Sequence, residues 1–406
     1  MGDQDEARPS KKARESAGSG GLTAFALRLA KQLADGEGTR DNNVAFSPLS
    51  VYTTLGLVAA GARGKTLDEL LGLLGASSPD DVAGFVRGLA ADPSGSDGPL
   101  VTYAYGVFHQ KNMEITAAYR DTTAESYKAE IRAVDFAKGD REKIREEINK
   151  WVAAATNNLI SEILPEGYLT CRSRFVLTNA IYFKGVWENL FPVRLTEDRE
   201  FHRLGEAAAV EVPFMTFGPG ERSLFLSYDK GFKVLRLPYR NSDASTSAFS
   251  MCVFLPNELN GLRAMVDALA AGGSMLDHVP KYRSKVRRVL LPKFKLSFFT
   301  SLVGVLKSLG LVEAFTEAAD LSGLVEQHIC DVRLDEVFHK AVVEVNEEGT
   351  VAAACTAVGG RVKQSARKET SKEFIADHPF AFYILEEVSG AVVFAGHVLD
   401  PSTSSH

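Results

Sequence analysis

Apolar positions recur along this chain with two periods, that of helices and that of strands. From Leu22 to about Ala34, the residues Phe25, Leu27, Leu29 and Leu33 form the stripe of a first helix. Asn43 to Ser50 (NVAFSPLS) reads as a short strand entering a helix, with Ser47 as cap and Pro48 at the first helical position. That helix continues through Val51–Ala60, is apolar nearly all round and is therefore buried; Gly61 and Gly64 break it. Thr66 caps the next short helix, with Glu69 completing a capping box. Asp140 to Ile160 predicts a strong amphipathic helix, with Ile144, Ile148, Trp151, Val152 and Leu159 on one side.

Strands are predicted at Leu100–Gln110, Ile131–Phe136 and Phe175–Phe183. Beyond Trp187 the chain is mostly strand: around Val210–Met215, Ser223–Leu226, Phe232–Pro238, Phe249–Phe254, Val286–Phe299, Ala341–Asn346, Phe380–Glu386 and Ala391–Val398. Short helices near Leu259–Ala271 and Thr300–Leu309 interrupt them. No repeat and no clean domain boundary is visible, so mixed sheets with surrounding helices in one domain fit best.

One stretch fits neither a core helix nor an ordinary loop. Glu344 to Arg367 reads EVNEEGTVAAACTAVGGRVKQSAR, with no charge from Gly349 to Gly360 and basic residues after it. As a strand, one face would carry Thr350, Ala352, Ala354, Thr356, Val358, Gly360 and Val362, none charged and none large. Such a strand can enter a sheet with that face on a core. A flexible Ala/Gly-rich linker has the same composition, and the stretch alone leaves both readings open.

Composition narrows the setting. The chain has 406 residues, 45% hydrophobic and 24% charged, ordinary for a globular protein. The net charge of -6 argues against binding nucleic acid as a whole. No apolar run has the length of a membrane span, so no membrane partner is expected. Residues 1–21 are polar and charged, read as a disordered tail, and contain no segment that acts as a signal peptide. Cys171, Cys252, Cys330 and Cys355 are widely spaced and form no metal-like pair, and no Asn-x-Ser/Thr acceptor is present. A reducing, intracellular location is expected, cytoplasmic, or nuclear if Lys11-Lys12-Ala13-Arg14 acts as a signal, with release from the cell as a further route.

Enzyme chemistry is absent from the motifs. There is no glycine-rich phosphate loop, no HExxH and no GxSxG elbow, so no catalytic residue, cofactor or metal is assigned. His339 sits in an apolar strand context and reads as a buried structural histidine. Lys281, Arg283, Lys285, Arg287 and Arg288 put charge on one strand face; a solvated face is preferred to a polyanion site.

Several motifs, in order, resemble those of the serpin family, and of its plant branch in particular: NVAFSPLS (Asn43–Ser50), TNAIYFKGVW (Thr178–Trp187), LPKF (Leu291–Phe294), ADLSGL (Ala319–Leu324), HKAVVEV (His339–Val345), NEEGTVAAA (Asn346–Ala354) and DHPFAF (Asp377–Phe382). The resemblance implies an α+β fold of three β-sheets with eight or nine helices. The domain would span residues 22–401, with an exposed reactive-centre loop at about 347–373 and a short tail at 402–406.

It also implies suicide inhibition of proteases, in which the cut loop enters the main sheet and traps the acyl-enzyme. The bait bond implied is Lys363-Gln364, reached by counting from Glu347 and, independently, back from Phe380; Arg361 and Arg367 are rival positions. A lysine there suits trypsin-like serine proteases, or cysteine proteases that cleave after basic residues, metacaspase-like or papain-like. The expected partner complex is 1:1 and covalent, with a monomeric inhibitor. Glu347, Gly349, Thr350, Ala352, Ala353 and Ala354 match an inhibitory hinge; Val351 and Cys355 depart from the usual residues, and both belong to the outward face. Gly359-Gly360 is a second departure, because glycine costs about 0.5–1 kcal/mol in a strand and favours simple cleavage of the loop. A serpin that no longer inhibits is the alternative. Ser47, Ser50, Asn179 and His339 match the polar cluster beneath the main sheet. Trp187 and Lys293 match its top, where Lys293 is expected to pair with Glu347.

Overall fold

Helix α1, Lys11–Asp35, opens the chain, and in this computed structural model residues 11–36, 39–89, 99–171, 173–205, 207–241, 248–272, 274–326, 332–350 and 372–403 are described. The other helices among the described residues are α2 (Pro48–Gly61), α3 (Gly64–Leu74), α4 (Pro79–Leu89), α5 (Ala117–Tyr127), α6 (Arg141–Ala155), α7 (Leu262–Ala271) and α8 (Val303–Ser308). The strands are β1 (Val44–Phe46), β2 (Leu100–Gln110), β3 (Glu130–Val134), β4 (Phe175–Val186), β5 (Glu197–Phe201), β6 (Val210–Met215), β7 (Arg222–Tyr228) and β8 (Phe232–Pro238). They continue with β9 (Phe249–Pro256), β10 (Ser284–Pro292), β11 (Phe294–Ser301), β12 (Glu336–Val345), β13 (Gly349–Thr350), β14 (Lys372–Ile375), β15 (Phe380–Glu386) and β16 (Val392–Val398).

A six-stranded sheet runs β11-β12-β13-β4-β2-β3. Its inner face carries Leu177, Ile181 and Phe183 from β4 and Val337, Ala341 and Val343 from β12, all in the main core. Its outer face carries Ala104, Phe108, Val176, Ala180 and Phe338, which α6 covers with Ile144, Ile148 and Val152. Burial on both faces explains why β4 is an almost unbroken apolar run rather than an alternating one. The remaining strands follow the order β1-β16-β15-β9-β8-β7-β10-β6-β5, with β14 added on β10. The strands expected in three sheets are thus hydrogen-bonded into two, with β10 paired to β6, β7 and β14. Its first residues pair with β7, and Leu291 and Pro292 pair with β6.

Several local expectations change. Helix α1 begins at Lys11 rather than near Leu22. The segment KKARES consists largely of good helix formers, which carry the helix forward before its apolar stripe begins. The capping box at Thr66 is absent: α3 starts at Gly64 without a side-chain cap. Instead Thr66 Oγ1 accepts from the Asp320 N–H at 3.0 Å and donates to Glu313 Oε1 at 3.2 Å. Glu69 Oε2 accepts from the N–H groups of Val312 and Glu313, both at 2.8 Å. Tertiary partners outcompete the local cap. Helix α6 stops at Ala155, because Asn157 and Asn158 take left-handed φ values of 52° and 61° and turn the chain away; Leu159 is left exposed. The predicted strand 286–299 divides at Lys293, where the chain leaves β6 for β12.

Gly396 shows how tightly β16 lies between its neighbours. A Cβ there would stand 2.3 Å from the Val44 carbonyl oxygen and 2.5 Å from Phe382 Cε1. Gly396→Ala is expected to destabilise the fold by about 1–3 kcal/mol through overpacking, read as a lower thermal midpoint by circular dichroism. An unchanged midpoint would mean that β1 yields freely.

Candidate functional site

Strands β4 and β12 are parallel neighbours, paired from Val176–Tyr182 against Glu336–Val342. Above these residues they part, and β13 sits between them. Thr350 pairs with Val345 of β12, while Gly349 and Thr350 pair with Val186 and Gly185 of β4, all antiparallel. The turn leading there is closed by the Asn346 N–H on the Gly349 carbonyl at 2.9 Å and by Asn346 Oδ1, which accepts from the N–H groups of Glu348 and Gly349 at 3.1 and 3.2 Å. Gly349 is required here: a Cβ would stand 1.9 Å from the Gly185 carbonyl oxygen.

Thr350 is fully buried, and its hydroxyl lies 2.7 Å from the Tyr239 hydroxyl. Tyr239 stacks on Trp187 with ring centroids 4.5 Å apart and planes 16° apart. Trp187 in turn donates its indole N–H to the Asn346 carbonyl at 2.9 Å and its backbone N–H to the Glu348 carbonyl at 2.8 Å. Lys293 Nζ lies 2.9 Å from Glu347 Oε2, the pair anticipated from the sequence, and Thr196 Oγ1 donates to Glu347 Oε1 at 2.8 Å. Burial pushes the Glu347 carboxyl up, but the bonds from Lys293 and Thr196 outweigh it and hold the group below the ordinary 4.5. A cleft of about 620 Å³ opens beside this turn, lined by Lys293, Glu344, Glu347 and Glu348 among others.

Lower down, on the inner face, β4 and β12 are each tied to the start of α2. Ser47 caps that helix, with its Oγ accepting from the Ser50 N–H at 3.1 Å and donating to the Val393 carbonyl at 2.5 Å. The Ser47 N–H donates to His339 Nε2 of β12 at 3.0 Å. On β4, Asn179 Oδ1 accepts from the Ser50 hydroxyl, and Asn179 Nδ2 donates to Thr54 Oγ1 at 2.6 Å. Because Nε2 accepts, the neutral ring carries its proton on Nδ1, which has no partner among the described residues. Full burial drives the His339 imidazole from the ordinary 6.5 down to about 3.

The structure therefore gathers Ser47, Ser50, Asn179 and His339 into one cluster, and Trp187, Lys293, Glu347, Gly349 and Thr350 into another. Ala352, Ala353, Ala354, Lys363 and Gln364 lie outside the described residues, as do Cys355 and Gly359-Gly360. Thr54, Thr196 and Tyr239 were not foreseen. Thr54 carried a signal, one turn after Ser50 on an otherwise apolar helix; Thr196 and Tyr239 had none.

A family model described as serpin (serine protease inhibitor) matches residues 21–401. Serpin-Z2A of Oryza sativa subsp. japonica is 47% identical, covering 95% of this chain and 98% of its own. Serpin-Z2A of Triticum aestivum is 38% identical, covering 94% and 96%. The solved structure of Arabidopsis AtSerpin1 in its native stressed conformation is 34% identical, with a TM-score of 0.86, covering 98% of this chain and 100% of that one.

Acid should loosen the two clusters in sequence. His339 excludes a proton that the unfolded chain binds, so its share of stability is complete above pH 6.5 and drains as pH falls toward 3. The Glu347 share is complete above pH 4.5 and is lost as pH falls through its lowered value. The thermal midpoint is expected to fall between pH 7 and 5 and further below 4.5. His339→Asn should flatten the first fall, leaving the share of His397, which burial pushes down to about 4. Glu347→Gln should act only on the second, at a cost of about 1 kcal/mol at pH 7. A first fall unchanged in His339→Asn would contradict this assignment.

Proposed function

The chain belongs to the serpin family of protease inhibitors, and from that membership we propose that it is a suicide substrate whose bait bond is Lys363-Gln364. The observation that carries this reading is the antiparallel seat of Gly349 and Thr350 between two parallel strands. A strand that continues from this seat replaces one parallel pairing with two antiparallel ones, which are slightly stronger per residue. Every backbone group of the loop then gains a partner.

The register at the seat supports the pattern of small residues. Continued downward, it would set Ala352 opposite Phe183 and Val343, and Ala354 opposite Ile181 and Ala341. Thr356 would arrive opposite Asn179 and His339, beside the unpartnered His339 N–H. Since Thr350 faces the core, Ala352, Ala354, Thr356 and Val358 would face it too, and no charge would be buried. Gly360 would stand opposite Phe175, the first residue of β4. The glycine pair would thus fall on the last two rows of the sheet, where its cost bears least on the inserted strand.

Lys363 would follow immediately below the sheet and, before insertion, would offer its bond to a protease whose specificity pocket holds a carboxylate. Targets are then trypsin-like serine proteases, or metacaspase-like or papain-like cysteine proteases. The protease supplies the nucleophile and this chain supplies the bond and the spring, so no catalytic residue, metal or cofactor is needed here.

Mixing the protein with trypsin should give a covalent band near the summed mass on a denaturing gel, with cleavage after Lys363. Cleavage without that band would favour the non-inhibitory alternative and overturn this reading. Thr350→Arg forces a charge into the buried site facing Tyr239. It should shift partitioning toward simple cleavage by at least about tenfold, equivalent to ~1.4 kcal/mol between competing steps.

A further inference from the structure

The basic run at residues 281–288 takes no part in the hinge. It flanks β7: Ser284 and Lys285 pair with Leu224 and Ser223, the Ser284 hydroxyl donates to the Leu226 carbonyl at 3.2 Å, and the Ser227 hydroxyl to the His278 carbonyl at 3.2 Å. Strand β14, by which the chain re-enters the fold after the loop, lies parallel to β10 with Lys372 beside Val286. Because the two strands run the same way, Ser284 and Lys285 directly precede the residue beside which the chain re-enters the fold.

The patch is braced from below. Arg283 donates to both carboxylate oxygens of Glu188, at 2.8 and 2.9 Å, one residue beyond Trp187. Its guanidinium also stacks on Phe225 at 4.6 Å. Around this brace the charges are unspent. Lys281, Lys285 and Arg287 are exposed and make no ion pair among the described residues. Of the acids nearby, Glu188 pairs with Arg283, Asp229 hydrogen-bonds His278 at 2.7 Å, and Glu373 lies on β14 beside Tyr228.

Two aromatic rings are presented with these cations. Tyr282 is 86% exposed and Tyr228 is 49% exposed. The ammonium groups of Lys233 and Lys372 stand 5.4 and 5.6 Å from the Tyr228 ring centroid. The Tyr228 hydroxyl donates to the Glu373 carbonyl and accepts from the Glu373 N–H, both at 2.8 Å, so its ring is held in place. A protein of net charge -6 therefore carries a positive, tyrosine-bearing rim beside Lys372, where the chain re-enters the fold. Rigid tyrosines among basic residues make protein interfaces at low entropic cost, and a local field raises the rate of encounter.

We propose that this rim is a second docking surface for the protease that engages the loop, and that it selects proteases whose surface beside the active-site cleft is acidic. The proposal rests on the inhibitory reading above. A partner held at the chain just before Lys372 would lie against the rim, and the rim pairs charge with aromatic contact, as a folded protein surface demands and a polysaccharide does not.

Association rates with anionic and cationic trypsin, measured across ionic strength, test it. The unaltered protein should associate about tenfold faster with the anionic enzyme at low salt, the difference closing as salt rises. The triple variant Lys281→Glu, Lys285→Glu, Arg287→Glu should slow the anionic enzyme about tenfold and speed the cationic one, a gain no folding defect produces. Equal rates for the two enzymes, or a variant slowed with both, would overturn the proposal. So would retention on a heparin column that the variant loses while the two enzymes remain equal, since the rim would then be a polyanion site. Equilibrium binding to trypsins whose nucleophilic serine is alanine separates the two readings. If neither active enzyme is trapped, yet inactive anionic trypsin binds with this salt and charge dependence, the docking surface stands and the inhibitory reading alone fails.

Discussion

Two parallel strands that touch below and part above govern this molecule. Over Val176–Tyr182 and Glu336–Val342, β4 and β12 share a full set of pairings; above them the sheet is opened by two residues of the chain that follows β12. Over that upper part each strand pairs with β13 in place of its parallel neighbour. Glycine at position 349 lets the backbone come close enough to start, because the Gly185 carbonyl leaves no room for a side chain.

What restrains the junction is polar. A single helix N-terminus holds both strands: Ser47 grips His339 on β12, and Ser50 with Thr54 grips Asn179 on β4. These bonds lie in an apolar core, where each is strong and each is costly to leave unmade. Among the described residues the His339 Nδ1 proton has no acceptor. At the top, Glu347 and Trp187 hold the turn by side-chain and backbone bonds that do not depend on the same helix. The two restraints are separate, one on the turn and one on the strands beneath it.

Much of this was legible in one dimension. Strands β2, β6, β8 and β15 were read with their bounds, because each alternates or runs apolar between clear turn residues. The Ser47–Pro48 helix start was read from cap chemistry, which is local and survives any tertiary setting. Where local rules failed, a distant partner had won. Thr66 and Glu69 serve the 312–320 segment rather than their own helix, and the strand after Val286 breaks because its two halves belong to different neighbours. Helices α4 and α5 were not foreseen; α5 buries only Tyr119, Thr123, Ser126 and Tyr127, too few and too polar for a stripe.

Read alone, the chain already carries the uncharged, alternating stretch after Glu348, and its ordered motifs point to the family. Those features depend on residue type and spacing alone. Only the tertiary structure decided that Thr350 faces Tyr239, that Glu347 is held by Thr196 as well as Lys293, and that the basic run stands beside the point where the loop re-enters the fold. Each of these joins residues far apart in the chain, and no local period or propensity carries information about which strands become neighbours.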